Sequence, residues 1–197
     1  EMRHRSLFAV FVLALTSLTF AGAPPANAVT VIKWPYLLWV TETEAIIMWE
    51  TGAAAPGSVT LTPVGGGSTV TVEVAATDTV QQAKATGLAP GTRYTFVVKS
   101  GAQILGDGAF TTDSRSATRV VFGAVGDNQA NPAIFLNLNN RMMKHNPELI
   151  INSGDIMSDG TVLSQWDTEF FTPNRNVLRF APCYVSMGNH EQNSPYF

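Results

Sequence analysis

Three short uncharged runs constrain the second half of this chain more than anything else in it. Val120 to Val125 is continuously apolar, Leu149-Ile150-Ile151 forms a second apolar run, and Pro182 to Met187 forms a third. Such runs suit buried strands of a parallel sheet, and the first is expected to be covered on both faces. Each run is closed by a glycine and then a polar residue: Gly126-Asp127, Gly154-Asp155 and Gly188-Asn189-His190. Helical stretches lie between them. Asn131-Pro132 offers a capping side chain and a first-turn proline. Ile134, Leu138 and Met142 then follow at four-residue steps, with Phe135 beside them. Asp159-Gly160 turns the chain into a second helix, with Leu163, Trp166 and Phe170 on one stripe. Strand, helix, strand, helix, strand predicts a parallel sheet with right-handed crossovers. The strand ends then share one edge, where open α/β folds bind ligands.

The first half has a different grammar. From Val29 to Asp113 no helical period is sustained. Alternation recurs instead, at Val59 and Leu61, at Val70, Val72 and Val74, and at Tyr94, Phe96 and Val98. Each set places its side chains on one face of a strand. Pro56-Gly57, Gly65-Gly66-Gly67, Pro90-Gly91 and Gly106-Asp107-Gly108 mark the turns. Short strands at this spacing indicate an antiparallel sandwich with Trp49 in its core. Leu88 to Tyr94 resembles the tyrosine corner of fibronectin type III domains, in which a Tyr hydroxyl bonds to backbone. Asp113 to Ala117 is a polar connector. The expected organisation is a leader at 1–28, an all-β, fibronectin type III-like sandwich at 29–113, and a partial α/β domain at 118–197.

The leader is read from Arg3, His4 and Arg5, the uncharged run Ser6 to Gly22, and Ala26-Asn27-Ala28. This is the order of a secretory signal. It implies a secreted, periplasmic or extracellular protein with no stable membrane span once cleaved. A formal net charge of -3 argues against nucleic-acid binding, which needs a basic patch. The single Cys excludes an internal disulfide framework and a Cys-rich zinc module. That residue, Cys183, falls inside the third run and reads as a buried apolar side chain.

Asp127, Asp155, Asn189 and His190 are the chemical candidates. Two carboxylates brought close repel unless a cation or proton lies between them. Oxygen donors with an imidazole suit a metal, and two metals a few ångströms apart can clamp a phosphate. Asp after a strand is also a common helix cap, so position alone leaves both readings open.

Gly126-Asp127, Gly154-Asp155 and Gly188-Asn189-His190-Glu191 resemble the first three blocks of the calcineurin-like metallophosphoesterase superfamily. With the sandwich ahead of them, and with Trp34-Pro35-Tyr36-Leu37 and Ala45 to Glu50 within it, the order is similar to the purple acid phosphatase group. The resemblance implies that Asp127 binds a first metal, Asp155 bridges two metals and Asn189 binds the second. It implies that His190 contacts phosphate and assists the leaving group while metal-bound hydroxide attacks phosphorus. The implied cofactors are two metal ions (Fe, Zn, Mn or Ca), and the implied substrate is a phosphate ester.

Two positions depart from the pattern. Gln129 stands where many relatives have a His, and could serve as a weak ligand or a group behind the metal. Ser158 stands where purple acid phosphatases have a metal-binding Tyr, so no purple colour is expected. Further His ligands of the family come from blocks beyond Gly-Asn-His-Glu, whereas His145 reads as a helix C-terminal residue. The expectation is therefore a C-terminally truncated phosphoesterase, inactive as residues 1–197. Two other readings stand beside it: a non-catalytic relative that binds phosphate or a surface partner, and a structural or adhesive sandwich module.

Overall fold

The computed structural model describes residues 28–197. The expected leader therefore lies outside the described residues except for Ala28. Among the described residues no helix is long and apolar enough to cross a membrane.

The first half is the antiparallel sandwich its alternation calls for. One sheet orders β1 (Val31–Val40), β2 (Glu44–Thr51) and β5 (Val80–Thr86) as β1-β2-β5. The facing sheet orders β3 (Gly57–Pro63), β4 (Val70–Val74), β6 (Arg93–Ser100) and β7 (Gln103–Thr111) as β4-β3-β6-β7. Inward positions from both sheets form one core around Trp49, Ile47, Leu37, Leu61, Phe96 and Phe110, all 0–2% exposed. Burying a side chain of this size contributes roughly 1.5–3 kcal/mol each. The Tyr94 hydroxyl accepts the Ala89 N–H at 2.9 Å, as the tyrosine corner requires.

β1 is irregular. Its pairing with β2 shifts register between Val31 and Lys33, between Lys33 and Tyr36, and between Leu37 and Trp39. Bulges re-aim side chains, and β1 uses them to serve two cores. Leu37 enters the sandwich core, while Tyr36 packs on the core of the second half, its ring 5.3 Å from Phe171. Arg175 lies over the Trp34 ring at 3.9 Å. Lys33 reaches Asp167 at 3.2 Å and also pairs with Glu50. Beside β1, the Ala109 N–H donates to the Arg179 carbonyl at 3.1 Å, and Arg179 pairs with Asp107.

In the second half, β8 (Phe122–Val125), β9 (Leu149–Asn152) and β10 (Cys183–Val185) form a parallel sheet in the order β10-β9-β8. The expectation that the first strand is covered on both faces is corrected. Phe122 is 58% and Ile151 48% exposed, because the helices packed on this sheet cover the opposite face only. α1 (Pro132–Met142) starts at Asn131-Pro132 with the first-turn proline as read, but the Asn131 side chain makes no capping hydrogen bond. Its buried positions, however, are Phe135 and Asn139, and Ile134 and Leu138 face outward. Asn139 is buried because its amide donates to the Pro173 carbonyl at 3.2 Å and to Asn174 Oδ1 at 3.1 Å.

The second helical stretch also departs from a simple stripe. It runs as α2 (Leu163–Gln165), a π-helical turn (Trp166–Phe171) and α3 (Thr172–Leu178). The Thr172 N–H bonds to the Asp167 carbonyl five residues back. This wider turn keeps Trp166 and Phe170 inside and leaves Leu163 exposed. Asp159 is a turn residue, as read: its Oδ1 accepts from Thr161 N–H at 2.9 Å and Thr161 Oγ at 2.7 Å.

Candidate functional site

The three strand ends meet through backbone. The Asp127 N–H donates to the Gly154 carbonyl at 3.0 Å, and the N–H groups of Asn128 and Gln129 both donate to the Asp155 carbonyl at 3.1 Å. The His190 N–H donates to Asp155 Oδ1 at 2.8 Å. Asp127, Asp155 and His190 are thus brought together from three separate segments. Asn189 is carried to the same edge by its neighbour His190, and its side chain is exposed.

Two features make this approach possible. Gly154 has φ 101°, and a Cβ on it would lie 2.6 Å from the Gly188 backbone nitrogen. A Cβ on Gly188 would lie 2.4 Å from Asp155 Oδ1. Glycine is therefore required at both positions for the second and third strand ends to touch. Asp127 and Asp155 both sit in the left-handed region, at φ 55°. Such conformations cost of order 1–3 kcal/mol and cluster at functional sites.

The His190 ring is oriented by its own partner. Nδ1 lies 2.7 Å from the Ser158 carbonyl oxygen. A carbonyl can only accept, so Nδ1 carries the proton and Nε2 is left for a ligand. That bond raises the imidazole pKa above its ordinary value; desolvation opposes the rise, and the Asp155, Glu191 and Asp127 carboxylates add to it.

Gln129 stands where the sequence placed a weak metal ligand or a group behind one. Its Nε2 donates to Asp127 Oδ1 at 3.0 Å. This leaves Oε1 buried with no hydrogen-bond partner among the described residues. A buried amide oxygen without a protein partner is a group that a bound cation could satisfy. Two carboxylates, two amide oxygens and an imidazole are hard and borderline donors that fit a divalent metal. The set is short of nitrogen and carboxylate ligands: among the described residues no group of three or more His, Cys, Asp or Glu side chains forms a metal cluster. His145 follows α1 in the turn Met143–His145, exposed and at the helix end away from Asn131.

Ser158 does not face the site as a ligand. Its hydroxyl donates to Glu169 Oε2 at 2.8 Å, and its N–H donates to the same oxygen at 2.9 Å.

Sequence reasoning missed Glu191, the last residue of the Gly-Asn-His-Glu block. Its side chain is wholly buried. Oε2 accepts the N–H groups of Asp155 at 3.1 Å and Gly188 at 2.5 Å, and Oε1 accepts the Ile156 N–H at 2.8 Å. A buried carboxylate needs such donors, and here they come from both strand ends that carry Asp155 and Asn189. Asn152 was missed as well. Its Nδ2 donates to Asn128 Oδ1 at 2.9 Å, and its Oδ1 accepts the Gly154 N–H at 3.0 Å, joining the first two strand ends. The available signal was a polar residue closing an apolar run, since Asn152 follows Leu149-Ile150-Ile151.

The family model of the calcineurin-like phosphoesterases matches residues 120–197, the segment that carries every residue of the site. The resemblance read from the Gly-Asp, Gly-Asp and Gly-Asn-His-Glu blocks is thereby shown for that segment. Among solved structures the chain is similar to that of PhoD, with a TM-score of 0.65 and 12% identity. The match covers 85% of this chain and 40% of that one, so the chain spans less than half of PhoD's length. The fibronectin type III domain of human collagen XX is also similar, at a TM-score of 0.38 and 19% identity, over 47% of this chain and 100% of that domain. No curated protein matches the chain.

Proposed function

We propose that residues 118–197 carry part of a metal-dependent phosphoesterase centre, preceded by the sandwich at 29–113 and by a secretory leader at 1–28 that would place the protein outside the cytoplasm. The observation that supports this best is the convergence of Asp127, Asp155 and His190 on one sheet edge with an unpartnered amide oxygen of Gln129 beside them. Asp127 and Asp155 would hold divalent or trivalent metal, with Asn189 contributing its amide oxygen and Gln129 acting as a weak ligand. Metal held there would supply Lewis acidity to the oxygens of a phosphate ester.

The chain's own residues do the rest. The Ser158 carbonyl holds the Nδ1–H of His190, so in the imidazolium form the second proton sits on Nε2, where it can be donated to a phosphate oxygen or handed to the leaving alkoxide. Glu191 and Asn152 tie together the strand ends behind the proposed ligands. The donor set is short, with His190 the only His at this edge among the described residues. We therefore assign residues 1–197 alone little turnover, and the phosphoesterase activity to a protein with a complete ligand set.

A second reading has its own support: Gln129 in place of a stronger ligand, and Ser158 engaged by Glu169, favour a relative that binds phosphate without hydrolysing it. One experiment separates them. The longest available form of the protein is assayed on a chromogenic phosphomonoester with added metal, beside an Asp155→Ala, Asn189→Ala double variant. Metal-dependent hydrolysis lost in the double variant supports the enzyme. Metal and phosphate binding without turnover supports the second reading. Hydrolysis unchanged in the double variant would remove this site from consideration.

A further inference from the structure

We propose that Glu169 is a positioning residue for the candidate metal site, setting the loop after β8 and the loop after β9 at a fixed distance. The proposal rests on the metal-site reading above. Glu169 lies on the π-helical turn Trp166–Phe171, outside the blocks on which the family resemblance was read. A single oxygen, Oε2, accepts three bonds: from the Ala130 N–H at 2.8 Å, the Ser158 N–H at 2.9 Å and the Ser158 hydroxyl at 2.8 Å. Oε1 adds a longer contact with the same hydroxyl at 3.1 Å.

The two residues held this way occupy equivalent places. Ala130 comes three residues after Asp127, and Ser158 three residues after Asp155. Ala130 is also held at φ 60°, a conformation alanine disfavours. Something must hold it there, and the bond from its N–H to Glu169 does so. Ser158 in turn presents its carbonyl to His190 Nδ1. One carboxylate oxygen thus holds both loops that carry Asp127 and Asp155, and through Ser158 it bears on the imidazole. Core packing does not account for it, since Trp166 and Phe170 of the same turn do the packing and Glu169 remains partly exposed.

Because all three donors converge on Oε2, the amide oxygen of a glutamine can take its place, whereas aspartate keeps the charge but is one methylene too short to span both loops. The test is Mn²⁺ binding to the full chain, followed by the loss of the free-ion resonance signal, for wild type, E169Q, E169D, E169A and D155A, with urea midpoints measured in parallel. E169A and E169D are expected to bind Mn²⁺ about 10- to 100-fold more weakly, as for other residues that orient ligands, with E169Q close to wild type. This order differs from that of a charge effect, in which Asp would be spared and Gln would not. E169D keeps the test informative if E169A does not fold. Wild-type affinity in E169D and E169A, or an E169Q as weak as E169A, overturns the positioning role while leaving the metal site standing. A wild type that holds no Mn²⁺, or a D155A that binds as wild type does, overturns the metal-site reading and this inference with it.

Discussion

Replacing Glu191 probes the join on which the candidate site depends. The carboxylate is wholly buried and accepts three backbone N–H groups, from Asp155, Ile156 and Gly188. Truncation to alanine leaves all three donors without a partner. At about 1–3 kcal/mol per buried unsatisfied N–H the loss sums to several kcal/mol, and water entering the vacated space returns part of it, so about 3–5 kcal/mol is expected for Glu191→Ala. Glutamine has nearly the same shape but only one acceptor oxygen. Turned toward Asp155 and Gly188, it keeps two bonds and sets its NH₂ against the Ile156 N–H. The expected cost of Glu191→Gln is about 1–3 kcal/mol, one bond's worth. Urea unfolding of the full chain, followed by both tryptophan fluorescence and far-ultraviolet circular dichroism, measures both values. The ordering matters as much as the size. If both variants fall within about 0.5 kcal/mol of wild type, as ordinary surface changes do, the carboxylate is not what holds the two strand ends together and the reasoning fails.

Two further outcomes test the packing between the halves. Burial, with Glu50 nearby, pushes the Tyr36 hydroxyl up to about 12. Ionisation is favoured in the unfolded chain first, so stability is unaffected below pH 10 and falls between pH 10 and about 12. Burial raises the Tyr184 hydroxyl as well, so the assignment rests on the difference between variants: in difference absorbance Tyr36→Phe should lose a late ionisation step that wild type shows, and a Tyr36→Phe titration identical to wild type at high pH would refute it. A Cβ on Gly108 would lie 2.1 Å from the Arg179 carbonyl oxygen, beside the bond from Ala109. Gly108→Ala should therefore cost at least about 1–3 kcal/mol in urea unfolding, and a neutral result would show that the two halves do not pack as described.

The sandwich was legible because its code is local. Alternation at β3, β4 and β6, turn glycines and one large aromatic are properties of neighbouring residues, and the core formed where they pointed. The parallel order of the second half was legible for the same reason, as were the strand ends that carry Asp127, Asp155 and His190. What escaped was set by contacts between segments. Ile134 and Leu138 formed a plausible helical stripe, yet α1 turns Phe135 and Asn139 inward because Asn139 has amide and carbonyl partners on α3. Spacing along one helix cannot reveal such partners. The π-turn widens the second stretch, so Leu163 leaves the stripe it was read into. Glu191 was legible only as the end of the Gly-Asn-His-Glu block and Glu169 not at all, because nothing local shows a glutamate that its acceptor oxygens will meet backbone donors from other loops.

The bulged course of β1 has a consequence for handling the molecule. Because β1 pairs within the sandwich while Trp34, Tyr36 and Lys33 grip the second half, the covalent connector at 113–117 is not the only tie between them. A protease that nicks the connector should yield two fragments that travel as one particle under native conditions and separate only in denaturant. Recombinant boundaries drawn at the connector would strip each half of part of its lining, and a pull on the N-terminal end of β1 would load the phosphoesterase-like half directly rather than through the linker.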